Sequence, residues 1–354
     1  MHTSDVVIAG AGIIGVSLAL ELRRVGASVT VLDSGEPGRE ASSAAAGMLV
    51  TDDPDLESPL RELAFASAEL YAGFVNELEL GSAINAGYED RGALYVASVD
   101  EQLHIPCSSV AELAAIEPEL AAHPRVYRLK EQSVDPRLLS QAAVAAAKRA
   151  GVSIHHESKV EAVTLCAEHD LEVRTIRSCY RTATFVNCAG AWAKEIVGVS
   201  VPVRPVKGQM LTVIAGNCRL HHVIRSREVY LVPRKDGRVL IGSTLEEAGF
   251  DKTVNPSAIQ GLHQAAANLV PSIGEAKILE AWAGLRPGSP DDLPILGPGR
   301  IPGTYIATGH FRNGILLAPI TAVLMAQLIE GKQPRIDLRA FAPSRFAMNQ
   351  SLAV

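Results

Sequence analysis

Two stretches carry residue types whose spacing can do chemistry. Gly10-Ala11-Gly12-Ile13-Ile14-Gly15 has the G-x-G-x-x-G spacing. That spacing serves a dinucleotide: the first glycine makes a tight turn, the second admits a pyrophosphate against backbone, and the third lets a helix pack on a strand. Asp33 follows at the end of the next apolar run, where an acid can bind ribose hydroxyls. Far along the chain, AGLRPGSPDDLPILG (283–297) sets Arg286 among glycines and prolines. The segment is too rigid for a linker and too apolar for a solvated face. An ion pair with Asp291 or Asp292 is one reading of this arginine. The other depends on what the nucleotide end binds.

The elements that must position these residues are legible in outline. Residues 5–9 (DVVIA) are predicted as a buried strand, 12–25 as a helix stopped by Gly26, and 28–32 as the next strand. This unit of about 30 residues has the size of a βαβ crossover. Periodicity further predicts helices over 58–80, 138–150, 257–269 and 313–329, the last capped by Asn313 and followed by Gly331. Strands are expected at 92–98, 152–163 and 183–188. VYLVPR (229–234) and RVLIGST (238–244) flank Lys235-Asp236-Gly237, a hairpin signal because Asp-Gly suits a positive-φ turn. The expected fold is a Rossmann-like parallel sheet with helices, interleaved with an antiparallel-sheet substrate domain. The first takes 1–85, 136–204 and 286–354; the second takes 86–135 and 205–285. Loops 51–60 and 245–255 stay unassigned.

Composition narrows the class. At 47% hydrophobic and 20% charged residues over 354 positions, the chain is a packed soluble protein. A net charge of −6 without a Lys/Arg block argues against nucleic-acid binding. Five scattered cysteines (107, 166, 179, 188, 218) with no CxxC pair suit a reduced compartment. No apolar run is long enough for a membrane span, and the glycine-interrupted N-terminal run lacks a basic flank, so a cytoplasmic protein is expected. The pairs His155-His156 and His221-His222 have no carboxylate cluster beside them in sequence, and no metal site is expected.

ASSAAAGML (41–49), VNCAGAWA (186–193), GLRPGSPD (284–291) and GHFRNGILLAP (309–319) occur in the order in which similar segments occur in the glycine oxidase and D-amino acid oxidase family of FAD enzymes. The chain resembles that family from Val6 to near Gly331, most closely its thiamine-pathway branch. The resemblance implies noncovalent FAD, beyond the Gly10, Gly12 and Gly15 turn itself. It implies contacts at Ile13 and Ile14 in the first turn, and at Asp33 and Ser34 on the ribose. Ser42, Ala46, Gly47 and Met48 would lie beside the pyrophosphate and ring, and Val160 beside the adenine. His310, Phe311, Arg312, Asn313, Gly314, Ile315 and Leu316 would pass the pyrimidine edge. A helix N-terminus aimed at that edge would stabilise negative charge on the reduced ring.

The resemblance also gives Arg286 the role of carboxylate anchor, since its two parallel N–H donors fix orientation as well as charge. Tyr230 would hydrogen-bond the same carboxylate, or is simply a buried tyrosine with a satisfied hydroxyl. Arg312 is expected near both flavin and substrate. Glu228 either points outward or recognises an amine. Lys207 either aids oxygen chemistry near the flavin or is a solvated strand-end lysine. No side-chain base is required, so His310 is not assigned that role. The implied activity is oxidation of glycine or another small amino acid, sarcosine and small D-amino acids included. It would yield an imine or 2-oxo acid, ammonia and hydrogen peroxide, with oxygen as acceptor. The alternatives are a flavin dehydrogenase passing electrons from D-amino acids or 2-hydroxy acids to a quinone, an NAD-linked dehydrogenase, and a flavoprotein without turnover. Oligomeric state is left open, a homo-oligomer included.

Overall fold

The computed structural model describes residues 2–51, 58–98, 100, 101, 103, 105–120, 122–167, 170–214 and 220–346. Residues 52–57 of the first unassigned loop, and Cys218, lie outside these.

Six short strands rich in valine and isoleucine form a sheet in the order Ile295–Pro298, Thr304–Thr308, Thr184–Asn187, Val6–Ala9, Val29–Leu32, Ser153–His155. All pairs are parallel except the first. Alternation along the strands assigns the two faces. Val6, Ile8, Val29 and Val31 pack with the helices Ile13–Arg24, Ser58–Ser82, Pro136–Arg149 and Gly314–Ile329. Val7, Ala9 and Phe185 pack instead against Leu171, Val173 and Tyr180 of a four-stranded sheet. Helices thus cover one face, and a small, mostly antiparallel sheet covers the other.

Two glycines allow the first turn. Gly10 has φ 102°, and a side chain there would strike the Cys188 carbonyl oxygen. A side chain on Gly15 would strike the Gly10 carbonyl oxygen, so helix and strand come together only because both are bare.

A seven-stranded sheet runs Lys277–Gly288, Arg204–Ile214, Arg238–Gly242, Tyr230–Pro233, Val223–Arg225, Ala93–Val96, Val126–Leu129. It is antiparallel apart from one parallel pair, Val223–Arg225 with Ala93–Val96. One face buries Leu211, Val213, Leu231 and Ile241 with Ile259 and Leu262 of the helix Pro256–Leu269. The opposite face carries Met210, Tyr230, Val232 and Leu240, packed with Ala46 and Met48. The expected hairpin turns through Gly237 at φ 84°.

Two expectations need correcting. Residues 152–163 are not one strand: Ser153–His155 belongs to the parallel sheet and Val160–Ala167 to the four-stranded one. The chain turns between them at Glu157, with φ 52°. Asn313 does not cap the final helix through its side chain, although its carbonyl accepts the Leu317 N–H at 2.8 Å.

That helix contains Pro319, which has no N–H to give the Ile315 carbonyl. The Tyr71 hydroxyl donates to that oxygen at 3.1 Å, and the Ser67 hydroxyl donates to the Leu316 carbonyl at 2.6 Å. The helix Ser58–Ser82 therefore supplies the donors that hold the start of Gly314–Ile329. Tyr71→Phe should leave a buried carbonyl unsatisfied and lower unfolding free energy by about 1–2 kcal/mol, measured by urea denaturation.

Candidate functional site

A cavity of about 800 Å³ runs from the first glycine turn to the inner face of the seven-stranded sheet. At its nucleotide end Asp33 closes the turn. Its carboxylate accepts the Ala11 N–H at 2.6 Å and the Gly35 N–H at 2.8 Å. Burial raises its pKa, against the lowering effect of those two bonds. The Ser42 hydroxyl accepts the Ile13 N–H at 2.9 Å, which ties the small-residue segment to the helix N-terminus.

That segment forms a four-residue helix, Ala41–Ala44, and then turns through Gly47 at φ 80°. Its carbonyls are gripped by the other sheet. Arg234, nearly buried, donates to Ala46 O at 2.7 Å and to Val134 O at 3.2 Å. Trp282 Nε1 donates to Ala44 O at 3.1 Å.

The start of the helix Gly314–Ile329 borders the same cavity through Asn313, Gly314 and Ile315. His310 is buried, with Nε2 3.0 Å from the Thr321 hydroxyl. Burial pulls its pKa down to about 3, so the imidazole is neutral at physiological pH and a poor proton acceptor. Cys188 also borders the cavity; burial pushes its thiol pKa well up, away from thiolate chemistry.

At the sheet end Arg286 stands on the strand Lys277–Gly288. It donates to the Ser243 hydroxyl at 2.7 Å and to the carbonyls of Thr244 at 3.2 Å and Lys207 at 3.4 Å. The ion-pair reading fails. Asp291 pairs with Arg345 at 2.8 Å and Asp292 with Arg204 at 3.4 Å, and among the described residues no carboxylate pairs with Arg286. Burial lowers its pKa from the ordinary value, yet arginine keeps its charge at neutral pH. The Tyr230 hydroxyl lies 3.8 Å from Met210 Sδ. Burial raises its pKa, and the Arg286 charge partly offsets this. Gly208 and Gly242 make room for the pair. A Cβ at 208 would overlap the Arg286 guanidinium, and one at 242 would lie 2.5 Å from the Tyr230 oxygen.

The structure brings Gly10, Gly12, Ile13, Ile14, Asp33, Ser34, Ser42, Ala46, Gly47, Met48, Val160, Tyr230, Arg286 and residues 310–315 to one cavity. Gly15 and Leu316 do not border it: the first packs helix on strand, and the second is buried against Ser67. Glu228 is exposed and outside the cavity, so the outward alternative holds. Lys207 is neither solvated nor at the cavity. It is buried within the strand Arg204–Ile214, with Nζ 2.6 Å from the Thr253 carbonyl. His222 does face a carboxylate, Glu117, at 3.2 Å. Among the described residues no cluster of three or more metal-ligating side chains occurs, and no helix is long and apolar enough to cross a membrane.

Sequence reasoning missed Arg234, Gly208, Gly242, Ser243 and Thr244. Gly208 and the run GST at 242–244 are small-residue breaks in strand runs, which mark close approach. Segment 245–255 is also placed. Phe250 stacks on Trp192 at 5.4 Å between ring centres, and Lys252 pairs with Glu40 at 3.0 Å; both partners border the cavity.

A bare-glycine turn at one end of a cavity, and a second sheet closing the other, define a dinucleotide-binding protein whose pocket is shared between two sheets. Residues 5–328 match the DAO family, FAD dependent oxidoreductase. The chain belongs to that family, and it is an FAD-dependent oxidoreductase. The residues present fit FAD: an 800 Å³ cleft, a side-chain-free turn for the pyrophosphate, and small residues 44–47 for a flat ring. The chain is 35% identical over 360 residues to glycine oxidase of Pseudomonas aeruginosa PAO1, covering 96% of this chain and 98% of that protein. It is 36% identical to the bifunctional protein ThiO/ThiG of Synechocystis sp., over 97% of this chain but 54% of that protein. The crystal structure of glycine oxidase from Geobacillus kaustophilus is 32% identical, with a TM-score of 0.92, covering 98% of this chain and 99% of that one.

Arg234→Met should release the Ala46 carbonyl and weaken FAD retention by roughly tenfold, the equivalent of about 1.5 kcal/mol. Equilibrium dialysis of the purified variant checks this, with wild-type affinity as the contrary result.

Proposed function

We propose that the chain oxidises glycine or a similarly small amino acid, such as sarcosine or a small D-amino acid. The products are an imine that hydrolyses to a 2-oxo acid and ammonia, together with hydrogen peroxide from oxygen. The observation that carries this reading is Arg286, half-buried at the sheet end of the cofactor cavity with donors and, among the described residues, no carboxylate partner. Similarity to the glycine oxidases supports it.

Noncovalent FAD, when bound, supplies the two-electron acceptor, and oxygen restores it. Arg286 binds the substrate carboxylate bidentately and so orients the Cα–H. Tyr230, beside it, donates its hydroxyl to the same carboxylate, and Arg312 adds positive charge at the exposed side of the cavity. His310, neutral and bonded to Thr321, lines the cavity and takes no proton. The N-terminus of Gly314–Ile329 favours negative charge at the edge it faces. Gly10, Gly12, Ile13, Ile14, Asp33, Ser34, Ser42, Ala46, Gly47, Met48, Val160 and residues 310–315 hold the cofactor. Residues 1–85, 136–204 and 286–354 make up the FAD-binding domain, and 86–135 with 205–285 the substrate domain. A cytoplasmic location and a place in thiamine biosynthesis belong to the same proposal.

The protein should purify yellow, and acid precipitation should leave the flavin in the supernatant. Colour retained in the pellet refutes noncovalent binding. Glycine, sarcosine or D-alanine should bleach the flavin anaerobically, and air should restore it with release of peroxide. Bleaching by 2-hydroxy acids alone, or reduction that air does not reverse, refutes the oxidase reading.

A further inference from the structure

Two short segments wall the cofactor cavity. One is the helix Ala41–Ala44, entered through Glu40; the other is the 3-10 turn Gly190–Glu195, which carries Trp192. Both pack against the strand Lys277–Gly288. One helical turn or a short 3-10 stretch does not hold its own position in water, so each must be fixed from outside. One end of each is fixed by contacts of its own. Trp282 and Arg234 hold the carbonyls of Ala44 and Ala46, and Lys159 pairs with Glu195 at 2.8 Å. Glu40 and Trp192 stand nearer the opposite ends.

Both of these are held by a single turn. Residues 243–255 link the strand Arg238–Gly242 to the helix Pro256–Leu269, and the base of this link is firm. Lys207 and Glu246 exchange both backbone N–H···O bonds at 2.9 Å, Lys207 Nζ donates to the Thr253 carbonyl at 2.6 Å, and Gln209 Oε1 accepts the Asn255 N–H at 2.6 Å. The Asp251 carboxylate accepts the Thr253 N–H at 2.8 Å and shapes the tip. From that base the tip reaches the cavity walls. Phe250 stacks on Trp192 with ring centres 5.4 Å and planes 29° apart, and Lys252 Nζ lies 3.0 Å from each carboxylate oxygen of Glu40. Two residues of chain span at most about 7 Å, so Trp192 and Glu40 are tied to one point of the rim. Phe250 and Lys252 do not border the cavity themselves; they stand behind residues that do. Phe250 is also 45% exposed, so its share in the stability of the fold is small.

We propose that Phe250 and Lys252 are positioning residues for the cofactor: by holding Trp192 and Glu40 they keep two walls of the cavity closed on FAD and slow its release. The ring and the ammonium do this differently. The stack excludes water and depends little on salt, whereas the exposed ion pair is weakened by it.

The test uses FAD-loaded enzyme freed of excess FAD and diluted, with release followed by the rise in flavin fluorescence. It reads the cofactor and not turnover, so it is independent of the substrate. Phe250→Ala should speed release about fivefold, and Phe250→Tyr, which keeps the ring, should stay near wild type. In a Trp192→Ala background, Phe250→Ala should add less than about twofold, because the ring it acts through is gone. Lys252→Met should speed release about threefold at low salt. Raising salt from about 20 mM to about 500 mM should speed wild-type release by a similar factor and affect Lys252→Met much less. Tm of the flavin-free Phe250→Ala protein should match that of the flavin-free wild type. If Phe250→Ala does not load FAD, Phe250→Leu carries the same expectations. Wild-type release from the ring-deleted variant overturns the proposal. So does an equal acceleration with and without Trp192, which marks a general loosening of the fold, or an equal salt response with and without Lys252.

Discussion

Arg286→Ala is expected to lower kcat/KM for glycine by a factor of hundreds or more. It removes a charge-assisted bidentate pair inside a partly desolvated pocket, a loss of about 3–5 kcal/mol in transition-state binding. Bound flavin and Tm should stay near wild type, because among the described residues the guanidinium joins hydroxyls and carbonyls of the fold and no carboxylate. Arg286→Lys keeps the charge without the fork and should regain part of the activity. Steady-state kinetics normalised to flavin, beside a thermal melt, separate this from a structural role. Lost stability with intact turnover would assign Arg286 to the scaffold and leave Tyr230 or Arg312 to bind the carboxylate.

Gly208→Ala should come close to it in effect. The added methyl would occupy the place of the Arg286 guanidinium. A guanidinium is the far end of a flexible side chain, so it moves aside while the strand Arg204–Ile214 stays paired. A reacting group displaced by about 1 Å can cost roughly 100-fold in rate, and kcat/KM should fall by tens- to a hundredfold. Flavin content should not change, since Gly208 lies at the sheet end of the cavity. The contrary result is wild-type kinetics in a variant that melts normally. It would mean that the guanidinium has a second productive position.

How much of this was legible depends on the range of each signal. The turn at Gly10 to Gly15, the strands beside it and the hairpin around Gly237 are written in neighbouring residues, and they were read correctly. Arg286 stood out in sequence by its odd local frame, and the anchor role proposed for it comes from resemblance. Its setting was not legible. Ser243 and Thr244 reach it from across the sheet, and Gly208 is known to be necessary only once the strand opposite carries an arginine. Lys207 misled for a physical reason. The strand Arg204–Ile214 is buried on both faces from Val206 to Val213, so no alternation marks its inward positions, and a lysine there reads as solvated until Glu246, Asp251 and Thr253 are seen to cover it. The break between Ser153–His155 and Val160–Ala167 was hidden likewise, because two strands of different sheets follow one another across only residues 156–159, turning at the positive-φ Glu157.

The strand order of the nucleotide sheet has a consequence for how the chain is made. Val6–Ala9 is flanked by Val29–Leu32 and by Thr184–Asn187, and the latter pairs in turn with Thr304–Thr308. During synthesis the first glycine turn emerges early, but its sheet waits for strands translated far later. Between them the ribosome releases most of the seven-stranded sheet, whose hairpin pairs Tyr230–Pro233 with Arg238–Gly242 locally. The substrate-side hairpin can therefore form while the cofactor side is still an open edge. Newly made chains should gain the capacity to hold flavin only after residue 308 has cleared the ribosome.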